Sequence, residues 1–241
     1  VPHWQLEWAE RIAVQLQIPH VVLATSETDR SDYQRNDSQR CFFCKQTLYD
    51  AIASFAAEQH GGAETVAIAS GTNADDLGDY RPGIQAGRLR GVLTPLADLG
   101  FDKQRVRELA ELFGLPNHDL PAAPCLASRI AYGTEVTPER LQRIERAESL
   151  LRQQGFREVR VRLHADELAR IEVARREMPR LWELMAGQGL TNQMHALGFR
   201  FVTVDADGLQ SGSMNRALVT IDAARPASRH AGNPEASVIA P

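Results

Sequence analysis

Apolar residues fall at helical spacing over residues 3–17, where Trp4, Leu6, Trp8, Ile12, Val14 and Leu16 sit among charges and glutamines, and Pro19 closes the run. Residues 20–24 are apolar and β-branched, the pattern of a buried strand. Residues 26–39 are polar throughout and predict a long mobile loop. Helical spacing returns at Leu48, Ala51, Ile52, Phe55 and Ala56. Residues 65–69 predict a second buried strand, and Val92, Leu93 and Leu96 a third. Asp102 then caps a helix carrying Val106, Leu109, Ala110 and Leu112, which Gly114 ends. Strand and helix alternating up to about residue 116 predict parallel βα units.

The pattern changes beyond a loop at residues 117–137. Thr137-Pro138-Glu139 opens a helix with Leu141, Ile144, Ala147, Leu150 and Leu151 on its apolar face. Residues 159–163 and 168–173 alternate strictly, which predicts an antiparallel hairpin with one wet face. Helices at 176–187 and 193–197, a strand at 199–204 and a polar loop at 211–215 follow. The expected fold class is α/β: a parallel-sheet domain over residues 1–118 and a smaller α+β domain over 119–222. A disordered tail rich in Pro, Ala, Gly and Ser is expected over 223–241.

Composition narrows the classes. In 241 residues, 43% are hydrophobic and 24% charged, ordinary for a globular chain. The net charge of -4 disfavours a broad nucleic-acid surface, though not a local basic pocket. No apolar run approaches a membrane span. Three cysteines, an odd number, argue against a secreted disulfide framework and favour a cytoplasmic metal or redox role.

Three constellations could carry chemistry. The first joins Cys41-x-x-Cys44 to Cys125, which lies in Pro124-Cys125-Leu126-Ala127-Ser128-Arg129, a stretch without helical or strand period. Cys44 falls near a helix start, where the dipole favours thiolates. Such a pair is shared by zinc, redox and iron–sulfur sites. Three thiolates suit a [4Fe–4S] cluster with one iron open. A structural zinc ion wants a fourth ligand, and neither His118 nor His164 has ligand spacing. The plain alternative is three unpaired cysteines, with Cys125 a small core residue.

The second is Ser128 and Arg129 with Arg160 and Arg162. The last two share one strand face and suit a phosphate or carboxylate, unless they are a solvated charge row. Glu148 and Glu172 could hold a divalent cation near such a phosphate, or be surface carboxylates. The third is Gly71-Thr72-Asn73-Ala74-Asp75-Asp76, a turn at a strand end where Gly71, Asn73 and Asp75 could meet a nucleotide.

In their order and spacing these motifs, with Asp79-Tyr80-Arg81-Pro82-Gly83, Tyr132-Gly133-Thr134, Val159-Arg160-Val161-Arg162, Arg170-Ile171-Glu172 and Gly198-Phe199-Arg200, resemble the LarE-type sulfur transferases of nickel-pincer nucleotide biosynthesis, within the PP-loop ATP pyrophosphatase superfamily. The resemblance spans residues 1 to about 220. It implies a Rossmann-like, adenine nucleotide alpha hydrolase-like domain with a second, smaller domain. It also implies adenylation by ATP with Mg2+ of a carboxylate of pyridinium-3,5-biscarboxylic acid mononucleotide. Sulfur from a donor then displaces AMP to leave a thiocarboxylate.

Cys125 matches a cysteine that is sacrificed in one branch and is a cluster ligand in another. Cys41 and Cys44 align the chain with the cluster branch. Ser128, Arg129, Arg160 and Arg162 match substrate phosphate ligands, and Glu148 and Glu172 match proposed metal ligands. A homo-oligomer is expected. The family's Ser-Gly-Gly-x-Asp-Ser loop does not occur in the chain, so an N-terminally incomplete nucleotide domain is expected. Rival readings are a tRNA thiolase of the same superfamily, which the acidic balance disfavours, and a non-catalytic cluster- or nucleotide-binding paralogue.

Overall fold

The computed structural model describes residues 1–60, 66–78, 81–120, 123–187, 189–210 and 212–215. Asp79 and Tyr80, Thr65, Ser211 and the expected tail at 223–241 lie outside them. Helix α1 (His3–Leu16) ends at Gln17 in a left-handed cap. A short α2 (Ser31–Gln34) and a long α3 (Arg40–His60) follow. Next come α4 (Pro82–Leu89), α5 (Pro95–Asp98) and α6 (Lys103–Leu112). Pro stands at the start of α4 and α5, where a missing N–H costs nothing. Asp102 caps α6 by accepting from the Arg105 amide at 2.8 Å.

The expected parallel pairing between residues 65–69 and 92–96 is a single bridge among the described residues, Ala69 to Leu93. Residues 20–24 form no strand. Val21 and Val22 are exposed, and no described residue pairs with them. A β-branched run becomes a strand only where a neighbour takes its amides and carbonyls.

The principal core lies further along. Helix α7 (Pro138–Gln153) is capped by Thr137. It packs on β1 (Val159–His164), which pairs antiparallel with β2 (Leu168–Val173). Helices α8 (Met178–Gly187) and α9 (Leu190–Ala196) lead to β3 (Phe201–Val204), which joins β2 in parallel. The sheet order is β1-β2-β3. Val159, Val161, Leu163, Ala169, Ile171 and Val173 are in one buried cluster with Ile144, Ala147 and Leu151 of α7.

Residues 26–39 are not a free loop. Asn36 is buried in a left-handed conformation that asparagine tolerates. Its amide nitrogen donates to the carbonyls of Ala131 and Thr134 at 2.8 Å. Gly133 and Val136 donate back to the carbonyls of Asn36 and Gln34. Polar side chains that read as solvated instead stitch the N-terminal segment to the core.

Candidate functional site

The hairpin alternates as its sequence predicts, but its second face is dry. Register places Arg160 opposite Glu172 and Arg162 opposite Arg170. Arg160 is 9% exposed, Arg162 4% and Glu172 0%. The solvated charge row is thus corrected. The chain beyond β3 returns over this face. Gly208 makes the return possible at φ +73°, where a Cβ would stand 2.9 Å from the Val173 carbonyl. Gln210 then offers its carbonyl to Arg160 at 3.1 Å. Ser213 Oγ accepts from Arg162 at 3.2 Å and donates to Glu172 at 3.1 Å.

Two carboxylates organise the arginines. Glu172 takes Arg162 Nη2 at 2.9 Å and Arg170 Nη2 at 3.2 Å. Glu148, on α7 and 0% exposed, takes Arg129 Nε at 2.9 Å and Arg152 Nη2 at 2.9 Å. Glu148 also accepts the Val161 amide at 3.2 Å, on the side of β1 away from β2 where Ile130 bridges to Leu163. The surface-carboxylate alternative is therefore corrected. A divalent cation here would have to displace guanidinium groups from both side chains.

Arg129, 2% exposed, faces inward: Nη1 donates to the Pro124 carbonyl at 2.5 Å and to Ser128 Oγ at 3.1 Å. It shapes the turn that carries Cys125 and Ser128. Arg162 Nη1 donates to the Ser128 carbonyl at 3.0 Å and ties that turn to β1.

A cavity of about 200 Å³ opens where these pieces meet. Arg160, Arg162, Ser128 and Ser213 line it, together with Arg40, Arg81 and Tyr132. Arg129 is not among the lining residues. Burial first, then the neighbouring Arg162 and Arg129, pulls the Arg160 guanidinium below its ordinary value. It remains charged at neutral pH, because arginine does not deprotonate in proteins. Arg162 Nε is buried without a hydrogen-bond partner among the described residues. Such a cavity can bind anions bidentately in a site with little water. Arg40 and Arg81 belong to it although no anion role was read for them. The sequence signal was Arg81's place inside the Asp79–Gly83 motif and Arg40's place directly before Cys41, but what surrounds them is remote in sequence.

The cysteines gather beside this cavity. Cys41 and Cys44 lie in the opening turns of α3 and are partly buried, Cys125 is exposed, and all three are free. Cys41 Sγ is 3.9 Å from Arg40 Nη2, and Cys125 follows Pro124, so both stand next to residues that line the cavity. Burial, with Cys125 and Glu27 adding, pushes the Cys44 thiol up to about 12. The thiolate-favouring helix start expected for Cys44 is corrected: its sulfur packs against the core, and desolvation outweighs the dipole.

No three described His, Cys, Asp or Glu side chains are close enough to share one metal ion. Three soft sulfurs are the donor type that iron–sulfur clusters take, and Cys41 and Cys44 stand three residues apart in the opening turns of α3. His164, whose Nε2 is buried without a hydrogen-bond partner among the described residues, has its imidazole held below the usual range by burial first, then by Arg170 and Arg162. It belongs with the arginines rather than the thiols.

This packing has a chemical consequence. On metal-free protein at about pH 8, iodoacetamide should label Cys125 first and Cys44 more slowly by about tenfold or more. Peptide mass spectrometry over time reads the order. Equal rates at both would contradict the burial of Cys44.

The turn at residues 71–76 uses its polar groups internally. Asn73 and Asp76 cap each other at 3.1 and 3.3 Å. Asp75 accepts the Lys103 amide at 2.9 Å, at the start of α6. A Cβ at Gly71 would meet nothing within 4 Å, so its backbone faces open space. Asp76 also pairs with Arg81 at 2.7 Å, which links this turn to the cavity.

Fold and site together define a mixed α/β protein with a buried arginine cavity beside three free thiols. No family model matches the chain. It is 41% identical over 214 residues to the uncharacterized protein slr1717 of Synechocystis, covering 89% of this chain and 78% of that one. It is 35% identical over 185 residues to the pyridinium-3,5-bisthiocarboxylic acid mononucleotide synthase of Lactiplantibacillus plantarum, covering 77% of this chain and 64% of the synthase. Over 139 residues it is 29% identical to the uncharacterized protein MJ0830 of Methanocaldococcus jannaschii, which covers 58% of this chain and 52% of that one. The chain belongs to the family of the Synechocystis protein, and it spans slightly less than two thirds of the length of the synthase. No helix among the described residues is long and apolar enough to cross a membrane.

Proposed function

We propose that the protein is an ATP-dependent sulfur transferase acting on pyridinium-3,5-biscarboxylic acid mononucleotide. The observation that carries this reading is the buried cavity of Ser128, Arg160 and Arg162 beside Cys125, in a chain similar to a synthase of the corresponding bisthiocarboxylic acid. The arginines would hold the substrate phosphate and bring a ring carboxylate towards the thiols.

The reaction balances as two displacements. A carboxylate oxygen attacks the α-phosphorus of ATP, and pyrophosphate leaves. A sulfur nucleophile then attacks the acyl carbon, and AMP leaves with that oxygen. Adenylation is needed because a carboxylate has no leaving group of its own. Gly71, Asn73 and Asp75 are proposed near the nucleotide, with Mg2+ accompanying ATP. Cys41, Cys44 and Cys125 would hold a [4Fe–4S] cluster, which when bound supplies an iron able to carry a replaceable sulfide. A cytoplasmic homo-oligomer completes the proposal.

Anaerobically purified protein should contain iron and sulfide at about four each per chain. With ATP, the mononucleotide and sulfide, it should form AMP and thiocarboxylate over many turnovers, and Cys125→Ser should lose both cluster and product. Loss of the elements of hydrogen sulfide from Cys125, with one turnover only, would replace the cluster by sacrificial transfer. Product formed on tRNA, or no AMP at all, would sink the reading.

A further inference from the structure

Arg40 opens α3 and is 4% exposed. Its Nη1 donates to Asn36 Oδ1 and to the Ala127 carbonyl, the latter at 2.8 Å. Nη2 is 3.9 Å from Cys41 Sγ, and the guanidinium lies 5.8 Å from the Tyr132 ring centroid. Among the described residues its hydrogen-bond partners are an amide, a carbonyl and a thiol, none of them a carboxylate.

A buried cation without a counter-ion is costly unless a ligand completes it. The cavity already contains Arg160, whose partner is a carbonyl, and Arg162, whose Nε is buried without an acceptor. Among the described residues, neither Arg40 nor Arg160 has a carboxylate as hydrogen-bond partner and Arg162 Nε has no acceptor, so these donors can take an anion. They come from two different elements, β1 and the start of α3. One phosphate answers the β1 arginines with Ser128. Arg40 stands next to the thiols and is held by Asn36 and Ala127, so it is fixed before any ligand arrives.

We propose that Arg40, with Tyr132 beside it, is a second anion subsite that takes a carboxylate of the pyridinium ring while the phosphate lies on the Ser128–Arg160–Arg162 side. The inference rests on the sulfur-transfer reading, which requires a carboxylate near the cysteines. It goes beyond that reading by naming the residue that recognises the acid. The subsite selects a ring acid over the isosteric amide, because a guanidinium fork gains from a carboxylate what a neutral amide does not supply.

Two probes share ring, ribose and phosphate and differ only at that group: nicotinic acid mononucleotide and nicotinamide mononucleotide. Isothermal titration calorimetry on the wild-type chain should show the acid binding about tenfold tighter than the amide. Arg40→Gln should bring the two affinities together while leaving the amide's affinity within about twofold of wild type. Arg160→Gln should weaken both probes and keep their ratio.

Because Arg40 also bonds to Asn36 and Ala127, thermal melts accompany each variant. If Arg40→Gln does not fold, Arg40→Lys serves: the charge stays, the fork is lost, and the preference should fall to about threefold. An acid preference unchanged in a folded Arg40 variant overturns the subsite and leaves the proposed function standing. Wild-type affinity for both mononucleotides no better than for inorganic phosphate overturns the proposed function, and the subsite with it.

Discussion

Glu148→Leu should lower the stability of the protein by about 3–5 kcal/mol, the cost of leaving one partner of a buried ion pair without the other. Arg129, 2% exposed, would lose the carboxylate that meets its Nε at 2.9 Å and its Nη2 at 3.4 Å. Arg152 and the Val161 amide would lose their acceptor as well. Urea denaturation followed by far-ultraviolet circular dichroism reads the loss. The double change Arg129→Met with Glu148→Leu should recover part of it, since it removes the uncompensated buried guanidinium while the Val161 amide and Arg152 still lack their acceptor. A loss below about 1 kcal/mol in the single variant would mean that the carboxylate is not the anchor of the turn bearing Cys125.

Arg160→Met should have the opposite profile. Its guanidinium is buried against Arg162 and Arg129, and its hydrogen-bond partner is the Gln210 carbonyl. Removing it relieves like-charge repulsion, so stability should hold or rise by about 1 kcal/mol. Affinity for a phosphate-bearing probe, ribose 5-phosphate, should fall about 100-fold, as when one partner of a buried charged contact is cut away. Arg162→Met, by contrast, should lose both affinity and stability, because Glu172 stays buried without one of its two arginines. Calorimetric titration beside thermal melts separates the two variants. A destabilised Arg160→Met would show that this arginine serves the fold rather than a ligand.

Much of the fold was legible in the chain because the signals were local. Helix α7 follows from the Thr137-Pro138 start and the spacing of Leu141, Ile144, Ala147 and Leu151. The hairpin follows from strict alternation at 159–163 and 168–173. Residues 20–24 failed as a strand for lack of a paired neighbour, which no local pattern can report. The stretch at 26–39 failed as a loop because Asn36 finds carbonyls about 95 residues away.

The candidate site divides in the same way. That Cys125 and Ser128 lie on an aperiodic segment, and that Arg160 and Arg162 share a face, is determined by sequence alone. Which face is dry is not. An arginine in an alternating strand reads identically whether water or another segment covers it. Here the chain turns at Gly208 and lays Gln210, Ser213 and Met214 over the charged side of the hairpin. Only the tertiary structure decided that Glu148 and Glu172 are buried counter-ions, that Arg129 stands behind the cavity while Arg40 and Arg81 stand in it, and that Cys44 is in a dry place. The reason is physical: hydrophobic period records a residue's own preference, whereas burial, charge pairing and acidity depend on what remote parts of the chain bring to it.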